Sequence, residues 1–314
     1  MTVPGRDAFQ FGAAGVPIFF VISGFVICAS ASGSTPMSFL RRRAERLYPC
    51  VFICAPITAA VWLLSGRGVI KTMLVLFKSM FLLPWGGWID APYWTLGCEV
   101  VFYAYVLATL LMYGERALKT AAQWLGVTCT IFTGVLICTA AAPDLNALAR
   151  SLATHVLLPL YWGSHFALGM LLYILRRGNG SGVKVATIVT LAGACAQSAG
   201  LFDISEISPV FAAVWLSGVL CIVRCRGASK ESHPIARWAG LTSYPLYLVH
   251  FALGLRLMVG LHNEGVSPLA ALIAVAAVMV LLAFAVAKLA EPPLSRLFSL
   301  LLSRWGPSTC MTPS

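Results

Sequence analysis

Among the residues of this chain able to do chemistry, Glu99 stands out by its surroundings. It lies in "APYWTLGCEVVFYAYVLATLL" (residues 91–111), about two turns inside an apolar run. A carboxylate there is costly unless it is paired or used, so an intramembrane acid is by default a functional candidate. The bland alternative is a polar group that glues helices together. Tyr103 is four residues on and shares its helix face, and Trp94 precedes it, so the three side chains are expected to project into one cavity. In "RRRAERLYP", Arg43 and Arg46 are three apart at the start of a helix and are expected to face one side. Such a pair could grip phosphates through charge-assisted, partly bidentate hydrogen bonds. A basic cluster at a helix end is also what membrane topology produces unaided. Pro49 is expected close enough to that helix's start to be tolerated.

Other candidates are weaker. Ser23 and Gly24 in "FFVISGF" most simply form a close helix–helix contact, and Ser23 has no local base to make it a nucleophile. It is taken as cavity-lining. Tyr244, Tyr247 and His250 recur at spacings of three and are expected to line the same cavity. His250 reads either as a hydrogen-bonded structural imidazole or as a general base. His155 and His165 are ten residues apart, about 80° around a helix, which is poor for holding one metal. They read as structural or acceptor-facing. The 10 cysteines contain no CxxC pair, so neither zinc nor a disulfide framework is expected. No phosphate-binding glycine loop appears, which leaves ATP-driven transport unsupported.

The elements that must position these residues are membrane helices. The chain is 59% hydrophobic and 11% charged, with a mean hydropathy of +0.86. Soluble domains have about a quarter charged residues, so here there are too few charges to cover a water-exposed surface. Apolar blocks run over 12–31, 47–64, 93–113, 122–142, 153–175, 184–202, 207–223, 240–261 and 267–288. Their length suits bilayer spans. "VIKTMLVLFKSMFLLPW" (69–85) carries Lys71 and Lys78 at helical spacing and reads as an interfacial or re-entrant helix. The fold class is therefore all-α, a polytopic integral membrane helical bundle with about nine spans plus that short helix. Residues 1–305 form one membrane domain, and 306–314 a disordered tail.

Most of the 22 lysines and arginines fall in one set of alternate loops, from Arg41–Arg46 to Lys288, Arg296 and Arg304. The positive-inside rule makes that set cytoplasmic. The net charge of +11 is then a topology signal and not a nucleic-acid footprint. It also puts the residues before the first span outside, though "MTVPGRDAFQF" has no signal-peptide character.

Four fragments, in order across nearly the whole chain, carry a resemblance. "GVPIFFVISGF" followed by "FLRRRAERLYP" is similar to the opening of the acyltransferase 3 family. "YWTLGCEVVFY", "LTSYPLYLVH" and "LAEPPLSRLF" resemble its later helices and its closing Glu-x-Pro. The flavour is closest to the exopolysaccharide-acetylating branch. The resemblance implies a ten-span enzyme that moves an acyl group from acyl-coenzyme A, usually acetyl-CoA, to a sugar hydroxyl. The donor is a substrate, and no bound cofactor is implied. The acceptor would be a polysaccharide or a lipid-linked glycan, in the bacterial inner membrane, with exopolysaccharide assembly proteins as possible partners.

On this reading Glu99 and His250 are the catalytic candidates. Arg43, Arg46, Ser23, Trp94, Tyr103, Tyr244 and Tyr247 are the substrate-binding ones. The family's first helix, with an Arg and a catalytic His, precedes Gly-Val-x-x-Phe-Phe and is not found in this sequence; His250 is the nearest replacement. Two alternatives stay open: a transporter or flippase of a glycan precursor, with Glu99 as an ion site, and an inactive truncated relative.

Overall fold

The computed structural model describes residues 15–84, 87–139, 144, 158–178, 181–201, 209–224 and 234–303. The expectations for the extreme N-terminus, His155 and the tail at 306–314 lie outside them. Eleven α-helices are described and no strand occurs among these residues. They are α1 (Gly15–Ala31), α2 (Pro36–Leu64), α3 (Val69–Met80), α4 (Tyr93–Tyr113), α5 (Leu118–Cys138) and α6 (Leu158–Arg176). Then follow α7 (Ser181–Leu201), α8 (Pro209–Arg224), α9 (Pro234–Asn263), α10 (Pro268–Ala285) and α11 (Glu291–Ser303). Among the described residues, five helical stretches are long and apolar enough to cross a membrane: Pro36–Leu64, Tyr93–Tyr113, Glu115–Cys138, Trp238–Asn263 and Pro268–Leu302. α1 is apolar and one residue shy of the same length. The side chains turned outward are what a bilayer solvates. On α10 they include Leu269, Ile273, Val280 and Leu281, an apolar surface that a water-soluble protein would not leave bare.

α3 has 12 residues, about 18 Å at 1.5 Å per residue, too short to span. Its polar Thr72 and Ser79 are buried, while Val69, Ile70, Leu74 and Phe77 face outward beside the exposed Lys71 and Lys78. Ser79 Oγ accepts the backbone N–H of Ile89 at 2.8 Å, which ties the following loop down. An amphipathic helix lying at the interface has this pattern.

α2 departs from expectation at its start. It begins at Pro36, seven residues before Arg43 and not at the arginines, so the basic cluster sits within the helix and Pro49 is an interior proline, as is Pro56. Proline has no N–H, so the Glu45 carbonyl loses its helical partner; membrane helices tolerate this where neighbours re-satisfy the freed group. A similar cause acts at the other end of the chain. Pro292 and Pro293 follow a single π-turn at Val286–Ala290. The carbonyls four residues before each proline have no N–H to receive, and the helix widens there.

By contacts the chain divides into two compact units. The first holds residues 40–97 and 234–303 of the described chain, the second residues 15–39 and 98–224. In the second, α1 packs on α6 and α8, and α5 on α6 and α7. Glycines set the closest approaches. A Cβ on Gly24 would run into the Phe166 carbonyl, and one on Gly169 into the Val21 carbonyl, so α1 and α6 meet backbone to backbone. Gly126 faces Thr190 and Gly193 faces Thr130 between α5 and α7. Small residues at crossings are how membrane helices gain packing without a hydrophobic driving force. In the first unit α9 packs on α10, and the π-turn touches both.

Candidate functional site

Glu99 lies on α4 in the second unit and is buried, 6% exposed. Ser23 Oγ, from α1, donates to Glu99 Oε1 at 2.7 Å. The Gly24–Gly169 crossing brings α1 hard against α6, and the same turn of α1 offers Ser23 to the acid. The close helix–helix contact read from "SG" is made by Gly24, while Ser23 is bonded to the acid. Tyr103, one turn beyond Glu99, is also buried, with its ring edge-on to Phe39 at 6.3 Å. Around this pair the packing is aromatic: Phe20 contacts Trp162 and Phe166, and Phe102 stacks on Phe166 at 3.6 Å.

A second polar layer in this unit was legible only as two isolated letters. His165 is fully buried on α6 and its Nε2 lies 3.0 Å from Ser198 Oγ of α7. The adjacent Ser164 donates to Gln197 Oε1 at 2.6 Å. Pairing Ser164–His165 with Gln197–Ser198 gives each of four buried side chains a partner across one helix contact, with only Gln197 Nε2 left without one among the described residues, which supports the structural reading of His165.

The first unit holds the other candidates. Arg43 is buried and Arg46 exposed, so the two do not share one environment. Three residues turn a helix through 300°, leaving the second side chain 60° off the first. Arg46 lies within electrostatic reach of Glu291, while Arg41 pairs with Glu45 at 2.8 Å and reaches Ser299. The same 60° drift separates the trio on α9. Tyr244 is half-buried and donates to the Leu47 carbonyl at 3.2 Å. Tyr247 is also half-buried, with its hydroxyl 2.8 Å from Thr95 Oγ1. Because Thr95 itself donates to the Pro92 carbonyl, Tyr247 is the donor in that pair. By His250 the rotation has reached 120°, and the imidazole is exposed. Its Nδ1 lies 2.9 Å from the Tyr247 carbonyl, which holds the ring proton on Nδ1 and leaves Nε2 as an acceptor. Trp94 is half-buried at the start of α4.

Sequence reading passed over Asp90 and Tyr93. Asp90 sits in the loop before α4, 4% exposed. Its Oδ1 accepts the Ala91 N–H at 2.7 Å and its Oδ2 the Ala252 N–H at 3.0 Å, clasping that loop to α9. Burial pushes the Asp90 carboxyl above the ordinary range, against the two backbone donors and nearby His250, which pull it down. Tyr93 is wholly buried and its hydroxyl has no hydrogen-bond partner among the described residues. No group of three or more metal-ligating side chains occurs among the described residues.

With this geometry in view, comparison with known proteins is informative. The acyltransferase domain of the acyltransferase 3 family matches residues 2–288. A stretch of 117 residues, 33% of the chain, is 32% identical to the exopolysaccharide production protein ExoZ of Rhizobium meliloti (strain 1021). The match spans 36% of that protein's length. No solved structure matches.

Proposed function

Since the chain belongs to the acyltransferase 3 family, we propose that it transfers an acyl group, acetyl in the simplest case, from acyl-coenzyme A to a hydroxyl of an exported polysaccharide or its lipid-linked precursor. The family match over most of the chain carries this reading, and the similarity to ExoZ supports the polysaccharide acceptor. The membrane is then the bacterial cytoplasmic membrane, with the basic loops on the cytoplasmic side.

Each candidate takes a role on this reading. Arg43 and Arg46 receive the phosphates of the coenzyme, Arg46 from solvent and Arg43 from within the bundle. Glu99, held by Ser23, is a fixed carboxylate that orients a reacting group or takes its proton. His250 Nε2 is a base able to accept the acceptor's hydroxyl proton. Trp94, Tyr103, Tyr244 and Tyr247 line the path of the substrates. In the reaction the thioester C–S bond breaks and an ester C–O bond forms. The hydroxyl proton ends on the departing thiolate, so free coenzyme A thiol is released for every ester made.

Protein in nanodiscs, given acetyl-CoA and polysaccharide from an acetyl-deficient strain, is expected to release thiol in step with base-labile acetyl ester. Glu99→Gln keeps the side chain's size and its acceptor for Ser23 but removes the charge. General acid–base assistance contributes about two to four decades in rate, and the variant is expected to lose a comparable amount. Full activity in Glu99→Gln would remove Glu99 from the mechanism, and ester-free polysaccharide with the active gene would refute the proposed reaction.

A further inference from the structure

The first unit contains a cavity that none of the candidates above lines. It lies between the C-terminal end of α2, the loop before α4 and the C-terminal half of α9, with a volume of about 350 Å³. That is near the lower end for ligand pockets, about 300–1,000 Å³, and suits one or two sugar rings. Trp62, Arg67, Trp88, Asp90 and Arg256 are among its walls. From Arg46 to Val61 the chain stays in one helix, so the cavity is roughly 22 Å along α2 from the basic cluster. On the positive-inside reading it opens on the outer side.

Its side chains have prepared roles. The Arg67 guanidinium lies over the Trp62 ring at 3.9 Å from the centroid, an arrangement that orders a long side chain before any ligand arrives. Trp88 is half-buried because α4 carries a glycine beneath it; a Cβ on Gly97 would come within 2.6 Å of the indole. The Asp90 oxygens are spent on backbone N–H groups. Among the described residues neither Arg67 nor Arg256 is ion-paired. Two arginines of like charge therefore face one cavity beside a fixed aromatic plane, and the nearby acid is directed elsewhere. A guanidinium fork pairs bidentately with a carboxylate, and the apolar CH face of a pyranose packs on an indole.

The geometry points to a binding subsite for an acidic sugar unit of the acceptor glycan, with Arg67 and Arg256 on its carboxylate and Trp88 under its ring. This rests on the acyl-transfer reading for its biological meaning, but not for its test.

Full-length protein in phosphatidylcholine nanodiscs would be titrated, without acyl-CoA, with a hexuronate-terminated disaccharide and with neutral cellobiose, following tryptophan fluorescence. The acidic disaccharide is expected to bind about tenfold or more tighter than cellobiose, and Arg67→Gln and Arg256→Gln each to weaken it about tenfold, as for loss of a charge-assisted contact. Arg67→Lys and Arg256→Lys keep the charge and are expected to retain a substantial part of the affinity, which separates lost recognition from lost folding. Equal binding of the two sugars, binding indifferent to both arginines, or no binding would overturn the subsite. Displacement of the disaccharide by phosphatidylglycerol would assign the cavity to a lipid headgroup and overturn it equally. Protein that binds the acidic sugar yet releases no thiol from acetyl-CoA would instead refute the acyl-transfer reading and leave the subsite standing.

Discussion

Ser23 and Glu99 are separated by 76 residues in sequence and by 2.7 Å in space, and no local pattern links them. Glu99 was recognisable because a carboxylate among apolar residues has few innocent explanations. Ser23 was read as a lining group, since the local sequence shows no base beside it. Ser23→Ala removes one donor from a buried carboxylate, which costs on the order of 1–3 kcal/mol. Acyl transfer is expected to fall roughly ten- to a hundredfold at that cost; unchanged transfer in a thiol-release assay would make the contact incidental.

Asp90 gives a pH signature of its own. Its carboxyl is raised by burial, so the native state holds the proton more tightly than the unfolded chain does. The associated stabilisation is complete below the unfolded value, near pH 4, and is lost as pH rises through the higher folded value. Melting of the protein in detergent is expected to fall over that window, and Asp90→Asn to flatten the fall. A wild-type curve that rises over the same window would contradict the assignment.

At the scale of elements, hydrophobic blocks and helices agree where a block is bounded by turn residues. The 93–113 block coincides with α4, and 267–288 with α10 and most of the π-turn. They disagree at α2, because hydropathy reports the membrane and not the helix: the polar arginine stretch is helical but not greasy. Helical spacing also misled where steps of three were read as one face. Two such steps carried His250 away from Tyr244.

The crossing of α1 and α6 yields a prediction. Gly24→Val places branched carbon against the Phe166 carbonyl, and overpacking of this kind costs about 1–3 kcal/mol or more. It is expected to abolish recovery of monodisperse protein. Gly134→Ala, where nothing lies within 4 Å, is expected to be neutral or mildly stabilising. Similar behaviour of the two variants in size-exclusion chromatography would deny the crossing its importance. α3 supplies another: if it lies at the interface, single cysteines at Ser65 and Ala91 in a cysteine-replaced background react with impermeant maleimide from the same side. Labelling from opposite sides would make α3 a span.

For the whole molecule, composition was the strongest signal. A chain with 11% charged residues has few options besides a bilayer, and its described helices leave apolar side chains outward as that requires. What composition and periodicity could not supply is the pairing of distant helices. The Ser164–Gln197 and His165–Ser198 contacts join residues 33 apart that looked unremarkable singly. The cavity between α2, the loop before α4 and α9 was equally hidden, since its walls come from separate parts of the chain, none with a motif. Family membership, by contrast, was written in short fragments: the first three of the four lie within the matched residues 2–288, and only "LAEPPLSRLF" falls beyond them.

The central claim is that the buried acid of α4 serves transfer from an acyl thioester. Thiol release from acetyl-CoA, measured in nanodiscs with acceptor glycan for wild type and Glu99→Gln side by side, tests it most directly. Robust release that falls by about a hundredfold or more in the variant, with its fold intact, is the expected result. Equal release from both proteins, or none from the wild type with donor and acceptor present, would contradict it.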